Sequence, residues 1–267
     1  SQGITTVVLG QDGGSEYPLA DFYTRIEDTE VAINVASYIG HNTIRKMVLK
    51  DDFRRPANPE EVSAMGELLS AELESGAIGF STGLEYDPGI YSAHDEVLSL
   101  AKIAAAAGTR YISHIRSEDR WFEAAMEEII EIGRVTKMPV QVSHIKLAMK
   151  RLWGRSAEVI AMLDAAREEG IEISADIYPY EFWHSNLMVL LPERDYTDRA
   201  AVKFALEEIA PPDGLWMTKF DPQPEYVGMT LSKIAALRNT DTTTAFMQLA
   251  AESEAMTQRT GFGADSI

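Results

Sequence analysis

Two histidines, each placed where a short apolar run ends, are the residues of this chain best suited to chemistry. His114 ends residues 111–114 and His144 ends residues 140–144, so the two lie 30 positions apart. That spacing suits one strand and one helix, which predicts consecutive βα units in a parallel sheet. Because the carboxyl ends of neighbouring parallel strands lie side by side, we expect the two imidazoles to converge. Two neutral imidazoles at one edge suit zinc.

A structural role is the alternative for any one histidine, since a buried imidazole is often satisfied by a backbone carbonyl. Two histidines at adjacent strand ends favour a shared cation instead. His41 and His94 are interpreted as structural, because His94 lies in the first turn of a predicted helix and His41 in a turn joined to Arg45.

Composition excludes several classes of function. The chain has 267 residues, 45% of them hydrophobic, a net charge of −18 and no cysteine. The negative charge repels phosphate backbones and anionic lipid, so nucleic acid and membrane surfaces are not expected partners. Disulfides and thiolate chemistry are impossible without cysteine. Both chain ends are interpreted as cuts within a longer protein, and a cytoplasmic location is expected.

Apolar strand-like runs alternate with amphipathic stretches along the chain, which predicts an α/β fold with a parallel sheet covered by helices. Six strands are predicted, at residues 4–9, 30–36, 77–80, 111–114, 140–144 and 171–176. Helices are predicted at residues 92–107, 122–135 and 156–169, and a capping box at Asn58 with Pro59 opens another that ends at Gly76. After Leu191 the alternation gives way to helices at 198–209 and 231–254 around a Pro-rich passage.

The motifs together resemble one known family. They are Gln2-Gly3-Ile4-Thr5-Thr6-Val7-Val8, Gly40-His41-Asn42-Thr43-Ile44-Arg45, Gly79-Phe80-Ser81-Thr82-Gly83-Leu84-Glu85-Tyr86, the two histidine segments, Trp153-Gly154, and Asp176-Ile177-Tyr178-Pro179-Tyr180. In this order they resemble the D-aminoacylase, or N-acyl-D-amino-acid deacylase, family of the amidohydrolase superfamily.

The resemblance implies a (β/α)₈ TIM-type barrel that is incomplete here, with about six of eight strands. The first and last strands and a small β domain would be missing. Residues 1–191 would then be the partial catalytic barrel, and residues 192–267 a helical, Pro-rich insertion or rim excursion. By the same resemblance, the aspartate that acts as general base would lie beyond the C-terminus, leaving no catalytic residue within this chain.

The resemblance also assigns metal ligands. His114 and His144 match the family's two downstream zinc-binding histidines. Asp12, in Gly10-Gln11-Asp12-Gly13, stands where the family usually has a metal-binding cysteine. A carboxylate binds zinc at about 2.0–2.2 Å, so ligation survives the change. The expected cofactor is one or two zinc ions, and manganese is also possible because the softer thiolate is absent. The alternative for Asp12 is an ordinary turn residue.

Substrate contacts are implied in the same way. Lys146 and Tyr178 match residues that hold the free carboxylate of the substrate, His184 and Ser185 would line the pocket, and Tyr86 would cover it. Arg116 and Glu118 would orient the imidazoles from behind, and an Arg–Glu surface pair is the alternative.

The function implied is a zinc-dependent hydrolase that cleaves the linear amide of N-acyl-D-amino acids, a small-molecule partner, with metal-activated water. Two alternatives stay open. One is a cyclic-amide amidohydrolase of the dihydroorotase or hydantoinase kind, and the other is a non-catalytic metal-binding relative. No lysine ends the 77–80 strand, where a carboxylated lysine would be expected in the first alternative.

Overall fold

Two compact units make up the chain in the computed structural model, which describes residues 3–260 and the side chains of residues 3–253. The first unit comprises residues 1–147 and 154–178, and the second comprises 148–153 and 179–267, each within the described range. None of the helices in the described part of the chain has the length and hydropathy that crossing a bilayer requires.

The first unit holds parallel strands in two sheets. The strands are β1 (Thr6–Leu9), β2 (Asn34–Ser37), β3 (Ile39–Gly40), β4 (Gly79–Gly83), β5 (Arg110–His114), β6 (Val140–Val142) and β7 (Ile173–Ala175). β1 pairs with β2, and the second sheet has the order β3-β4-β5-β6-β7. Every strand pairing in the two sheets is parallel. The predicted α/β class with a parallel sheet is therefore confirmed.

Helices alternate with these strands, as in successive units of a (β/α)₈ barrel. They are α1 (Leu19–Asp28), α2 (His41–Leu49), α3 (Pro59–Glu74), α4 (His94–Ala106), α5 (Phe122–Thr136) and α6 (Ser156–Glu168). Neither α1 nor α2 was predicted from the sequence. Neither is preceded by a side-chain cap, since Pro18 and Gly40 occupy the two N-cap positions. By contrast, the capping box predicted at Asn58 is present, with both reciprocal hydrogen bonds to Glu61.

The second predicted strand, 30–36, was wrong in its bounds. Glu30 has a φ of +51°, which ends the preceding helical turn and leaves residues 30–33 outside the sheet. The strand starts at Asn34 and is interrupted at Tyr38, because β2 pairs with β1 whereas β3 pairs with β4. The predicted strand therefore corresponds to β2, whereas β3 lies outside the predicted range, which makes seven strands instead of six.

A buried ionic cluster joins α2 to α4. Arg45 Nε donates to Glu96 Oε1 at 2.8 Å, and His41 Nε2 lies 2.8 Å from the same oxygen. The guanidinium also donates to the carbonyls of Phe53 and Pro88. Burial lowers the pKa of His41, although Glu96 opposes the effect. His41 is the first residue of α2 and not a turn residue. Its contact with Glu96 is structural, as expected.

Helices form the second unit. They are α7 (Arg199–Glu208), α8 (Leu231–Leu237) and α9 (Thr242–Thr260). Asp198 caps α7 by accepting hydrogen bonds from two backbone amides, as its position before the helix indicates. Lys150 Nζ donates to the carbonyl oxygen of Glu207, and Arg151 pairs with Glu208, which ties residues 148–153 to this unit. The predicted boundary at 191/192 differs from the bounds of this unit. The description of residues 192–267 as a barrel insertion stays a prediction.

Candidate metal centre

Three side chains with metal-binding atoms converge beyond the carboxyl ends of the strands. Asp12 lies in the loop after β1, His114 is the last residue of β5, and His144 lies two residues after β6. His114 Nδ1 is 3.0 Å from His144 Nε2, which is 3.1 Å from Asp12 Oδ2. One potential ligand atom from each of the three lies within 4.8 Å of the others.

These separations fit a small divalent cation. Zinc–nitrogen and zinc–oxygen bonds of about 2.0–2.1 Å place tetrahedral ligand atoms about 3.3 Å apart. Asp12 Oδ1 provides a second observation, since it is buried and has no hydrogen-bond partner among the described residues. A buried carboxylate oxygen without a partner is costly unless a cation compensates it. The two imidazoles and the carboxylate therefore fit a zinc ion.

Strained backbone presents two of the three ligands. Asp12 has a φ of +56° and His144 a φ of +35°, a region that costs non-glycine residues free energy. Asp176, just after β7, holds His144 in place: its Oδ1 accepts from the His144 amide at 2.6 Å, and its carbonyl accepts from the Ile145 amide at 2.9 Å. Sequence reasoning did not assign this role to Asp176, although its position at the next strand end was a signal.

Close backbone contacts fix the loop that carries Asp12. A Cβ on Gly83, at the end of β4, would lie 2.1 Å from the Asp12 carbonyl oxygen. A Cβ on Gly13 would lie 2.5 Å from the Gly83 nitrogen. Ser81 Oγ donates to the Gly10 carbonyl at 2.5 Å. The loop therefore lies directly on the end of β4, and only glycine permits this approach.

Each imidazole has a buried carboxylate behind it. Glu118 Oε1 lies 3.1 Å from His144 Nδ1, and Glu85 Oε2 lies 3.0 Å from His114 Nε2. Metal-binding histidines usually have such a partner on the second nitrogen. Glu118 was expected to orient an imidazole, and that role stays a prediction. Glu85 was not expected here, although it lies two residues after β4 and within the motif 79–86. Burial raises the pKa of Glu85, an effect that His114 opposes.

Electrostatics favour a cation at this position. Burial raises the pKa of Glu118, but the charge of His114 and a hydrogen bond with His144 outweigh it and lower the pKa to about 2. Burial also raises the pKa of Asp12, yet its bond to His144 gives a net lowering. For His144, burial lowers the pKa, but hydrogen bonds with Asp12 and Glu118 raise it to about 9. Two ionised carboxylates thus place negative charge at this centre, and a bound cation would have to replace the proton on the ligating nitrogen of His144.

Lys146 and Tyr178 lie together beside the centre. Lys146 Nζ donates to Glu118 Oε1 at 2.5 Å and to the His144 carbonyl at 3.0 Å, and it lies 5.8 Å from the centroid of the Tyr178 ring. On the other side, the rings of Tyr86 and His114 are 4.3 Å apart. The structure therefore gathers these three predicted residues, and their substrate contacts stay predictions.

The other predicted residues have different partners. Arg116 forms two 2.8 Å hydrogen bonds to Glu128 of α5 and one of 3.0 Å to the Ser92 carbonyl. Arg116 thus links the residues after β5 to α5. These contacts do not support its expected role behind the imidazoles. Arg116 does form an Arg–Glu pair, but its partner is Glu128 and not Glu118. His184 and Ser185 belong to the second unit, where His184 Nε2 lies 3.1 Å from Thr218 Oγ1. Their role as pocket residues stays a prediction.

Comparison with known proteins identifies relatives of this chain, although no family model matches the sequence. An N-acyl-D-glutamate deacylase of Alcaligenes xylosoxydans xylosoxydans is 35% identical to it over 93% of the chain and 52% of that protein. The crystal structure of N-acyl-D-glutamate deacylase from Bordetella bronchiseptica, complexed with zinc and a phosphonate inhibitor that mimics the tetrahedral intermediate, is 36% identical with a TM-score of 0.81. The chain is homologous to the D-aminoacylase family of amidohydrolases.

A crystal structure of D-aminoacylase supports the same relationship for this chain. It is 30% identical, with a TM-score of 0.77, over 93% of this chain. The match covers 53% of the chain in each of the two crystal structures. This chain spans about half the length of the curated relatives that it matches, and the matches cover between 41% and 52% of those relatives. The predicted relationship to this family is confirmed, and the structural match agrees with the predicted α/β class with a parallel sheet.

Proposed function

We propose that the protein is a zinc-dependent hydrolase that cleaves the linear amide of N-acyl-D-amino acids. The observation that carries the proposal is the convergence of Asp12, His114 and His144 with separations suited to one cation. It occurs in a chain 36% identical to a deacylase whose crystal structure contains zinc. The proposed substrate is a small molecule, which agrees with a net charge of −18 that disfavours nucleic acid. A cytoplasmic location is part of the proposal.

Asp12, His114 and His144 would hold the metal. When bound, zinc supplies Lewis-acid polarisation of a carbonyl and a water acidified toward neutral pH. The chain's own residues arrange the rest of the site. Glu118 and Glu85 hold the two imidazole rings from behind. The proposal includes one or two zinc ions, with manganese as a substitute, because Asp12 is a harder ligand than a thiolate.

Lys146 and Tyr178 would bind the free carboxylate of the substrate. An ammonium group forms a charge-assisted hydrogen bond with a carboxylate, and Tyr178 lies beside it to share that contact. Lys146 is bonded to Glu118 in the structure, so a substrate carboxylate would compete with Glu118 for the ammonium group. This arrangement favours N-acyl amino acids over uncharged amides, because only the former carry the anion.

The test is an assay of the complete protein on a panel of amides. We expect zinc-dependent release of amine from N-acetyl-D-glutamate or another N-acetyl-D-amino acid, loss of activity with a chelator, and recovery when zinc is added. The L enantiomers and a hydantoin serve as matched controls. Turnover of the hydantoin alone would favour a cyclic amidase, and stoichiometric zinc without any turnover would favour a non-catalytic relative. Either result would overturn the proposal.

A further inference from the structure

We propose that Glu85 is a positioning residue that selects the protonated ring nitrogen of His114 and thereby aims Nδ1 of that ring at the cation. The inference rests on the proposed zinc site. Glu85 is absent from the predicted set of functional residues, and its role follows from contacts on opposite edges of one ring.

The two nitrogens of His114 face different partners. Nε2 lies 3.0 Å from Glu85 Oε2, and Nδ1 lies 3.0 Å from His144 Nε2 on the side of Asp12. A neutral imidazole has one donor and one acceptor nitrogen. When Nε2 carries the hydrogen and donates it to Glu85, the lone pair of Nδ1 points to the centre shared with Asp12 and His144. Metal binding requires that lone pair.

The fold fixes this arrangement on both sides. In the parallel register of β4 and β5, Gly83 lies opposite His114, and the Leu84 amide donates to the His114 carbonyl at 3.0 Å. The next residue is Glu85, which the register therefore brings to the ring edge. The Tyr86 ring packs on the imidazole at 4.3 Å between centroids. With 3% of the His114 side chain exposed, water cannot readily replace the carboxylate.

A competing assignment makes Glu85 a metal ligand itself. Potential ligand atoms of Glu85, His114 and Glu118 also lie within 4.8 Å of one another. That assignment requires the His114 ring to offer Nε2 to a cation on its far side. It predicts the loss of a whole metal equivalent when Glu85 is removed, whereas a positioning role predicts weaker binding at unchanged stoichiometry.

The experiment measures zinc affinity and stoichiometry in the complete protein by competition with a chelator, for the wild type, Glu85→Ala and Glu85→Gln. We expect Glu85→Ala to bind zinc about 10–100-fold more weakly at unchanged stoichiometry, as for other partners of ligating histidines. Gln retains an acceptor oxygen, so Glu85→Gln is expected to lose less. Glu72→Gln is the matched control, since Glu72 is also buried and accepts from the Leu19 amide at 2.7 Å.

A second readout is the hydrogen position on His114, followed by nitrogen-15 NMR of the metal-free protein at high pH. We expect hydrogen on Nε2 in the wild type and a mixture of both forms in Glu85→Ala. Hydrogen on Nδ1 in the wild type, unchanged zinc affinity in Glu85→Ala, or loss of one metal equivalent would each overturn the inference. If Glu85→Ala fails to fold, the wild type and Glu85→Gln decide. A wild type that binds no zinc would refute the proposed function, whereas the NMR result would still test Glu85.

Discussion

Asp12 stands at the position where the resemblance to the D-aminoacylase family implies a metal-binding cysteine. The backbone already presents Asp12 toward the centre, with a φ of +56° and a buried oxygen without a partner among the described residues. A carboxylate binds hard cations better than a thiolate does. We therefore expect Asp12 to shift the metal preference toward harder cations while the site still binds zinc.

Substitution of Asp12 tests this directly. We expect Asp12→Ala to weaken zinc binding by more than roughly 100-fold, beyond the effect of losing an outer partner. Asp12→Cys should retain zinc and raise the preference for zinc over manganese, since a thiolate is the softer ligand. Metal content after dialysis measures both, with Gln11→Ala in the same loop as the control. Unchanged zinc content in Asp12→Ala would remove this residue from the ligand set.

Lys146 provides a prediction about substrate binding. Because a hydrogen bond to a charged group contributes about 1.5–3 kcal/mol, we expect Lys146→Met to raise KM for an N-acetyl-D-amino acid about 10–100-fold, with a smaller change in kcat. Lys102→Met, at an exposed position on α4, is the control. Zinc affinity is measured in parallel, because Lys146 also contacts His144. An unchanged KM would show that Lys146 does not bind the substrate.

At the scale of the elements, the sequence predicted those structures whose signals are local. The capping box at Asn58 fixed the start of α3, and apolar runs placed the strands to within a few residues. The helices α1 and α2 lacked such signals. They depend instead on tertiary contacts, such as the Glu72 carboxylate that accepts from the first amide of α1 and the ionic cluster that anchors α2.

The contact between the Asp12 loop and β4 makes a prediction at this scale. We expect Gly83→Ala to displace the loop, because its Cβ would lie 2.1 Å from the Asp12 carbonyl oxygen. Zinc affinity should fall at least about 10-fold, on the scale of lost outer-sphere support, and the melting temperature should decrease. Gly14→Ala is the matched control in the same loop, because a Cβ there meets nothing within 4 Å. Equal zinc affinity in the two variants would contradict this account of the loop.

The cluster of His41, Arg45 and Glu96 predicts a pH dependence of stability. Burial raises the pKa of Glu96, but His41 and Arg45 outweigh it, so the net pKa lies below its usual 4.5. The pKa of His41 is lowered from 6.5, chiefly by burial. Both folded-state pKa values lie below the unfolded ones, so each contribution is complete above the unfolded pKa and is lost as the pH falls. The free energy of unfolding should therefore decline from about pH 6.5, and again below about pH 4.5.

Removing the Glu96 charge tests the same cluster at neutral pH. Glu96→Gln leaves the buried Arg45 guanidinium without its anionic partner, and breaking such a pair costs about 3–5 kcal/mol. Urea unfolding of this variant is compared with that of Glu67→Gln, at an exposed position on α3. A free energy of unfolding for Glu96→Gln within about 0.5 kcal/mol of the control would show that the cluster does not stabilise the fold.

For the molecule as a whole, much of the candidate site could be predicted because parallel topology converts strand ends into neighbours. That rule alone predicts that His114 and His144 converge. It could not place Glu85 against the His114 imidazole or Asp176 against the His144 backbone amide, because these contacts depend on strand register and on the turns that follow. Nor could it separate Arg116 from the centre, since the attraction of Glu128 on α5 depends on how helix and sheet pack.

The most direct test of the account is an anomalous diffraction map, recorded at the zinc absorption edge, from crystals of the zinc-loaded complete protein. The account predicts a peak within about 2.0–2.2 Å of Asp12 Oδ, His114 Nδ1 and His144 Nε2 together. Zinc density located elsewhere, or bonded to only one of these three side chains, would contradict it.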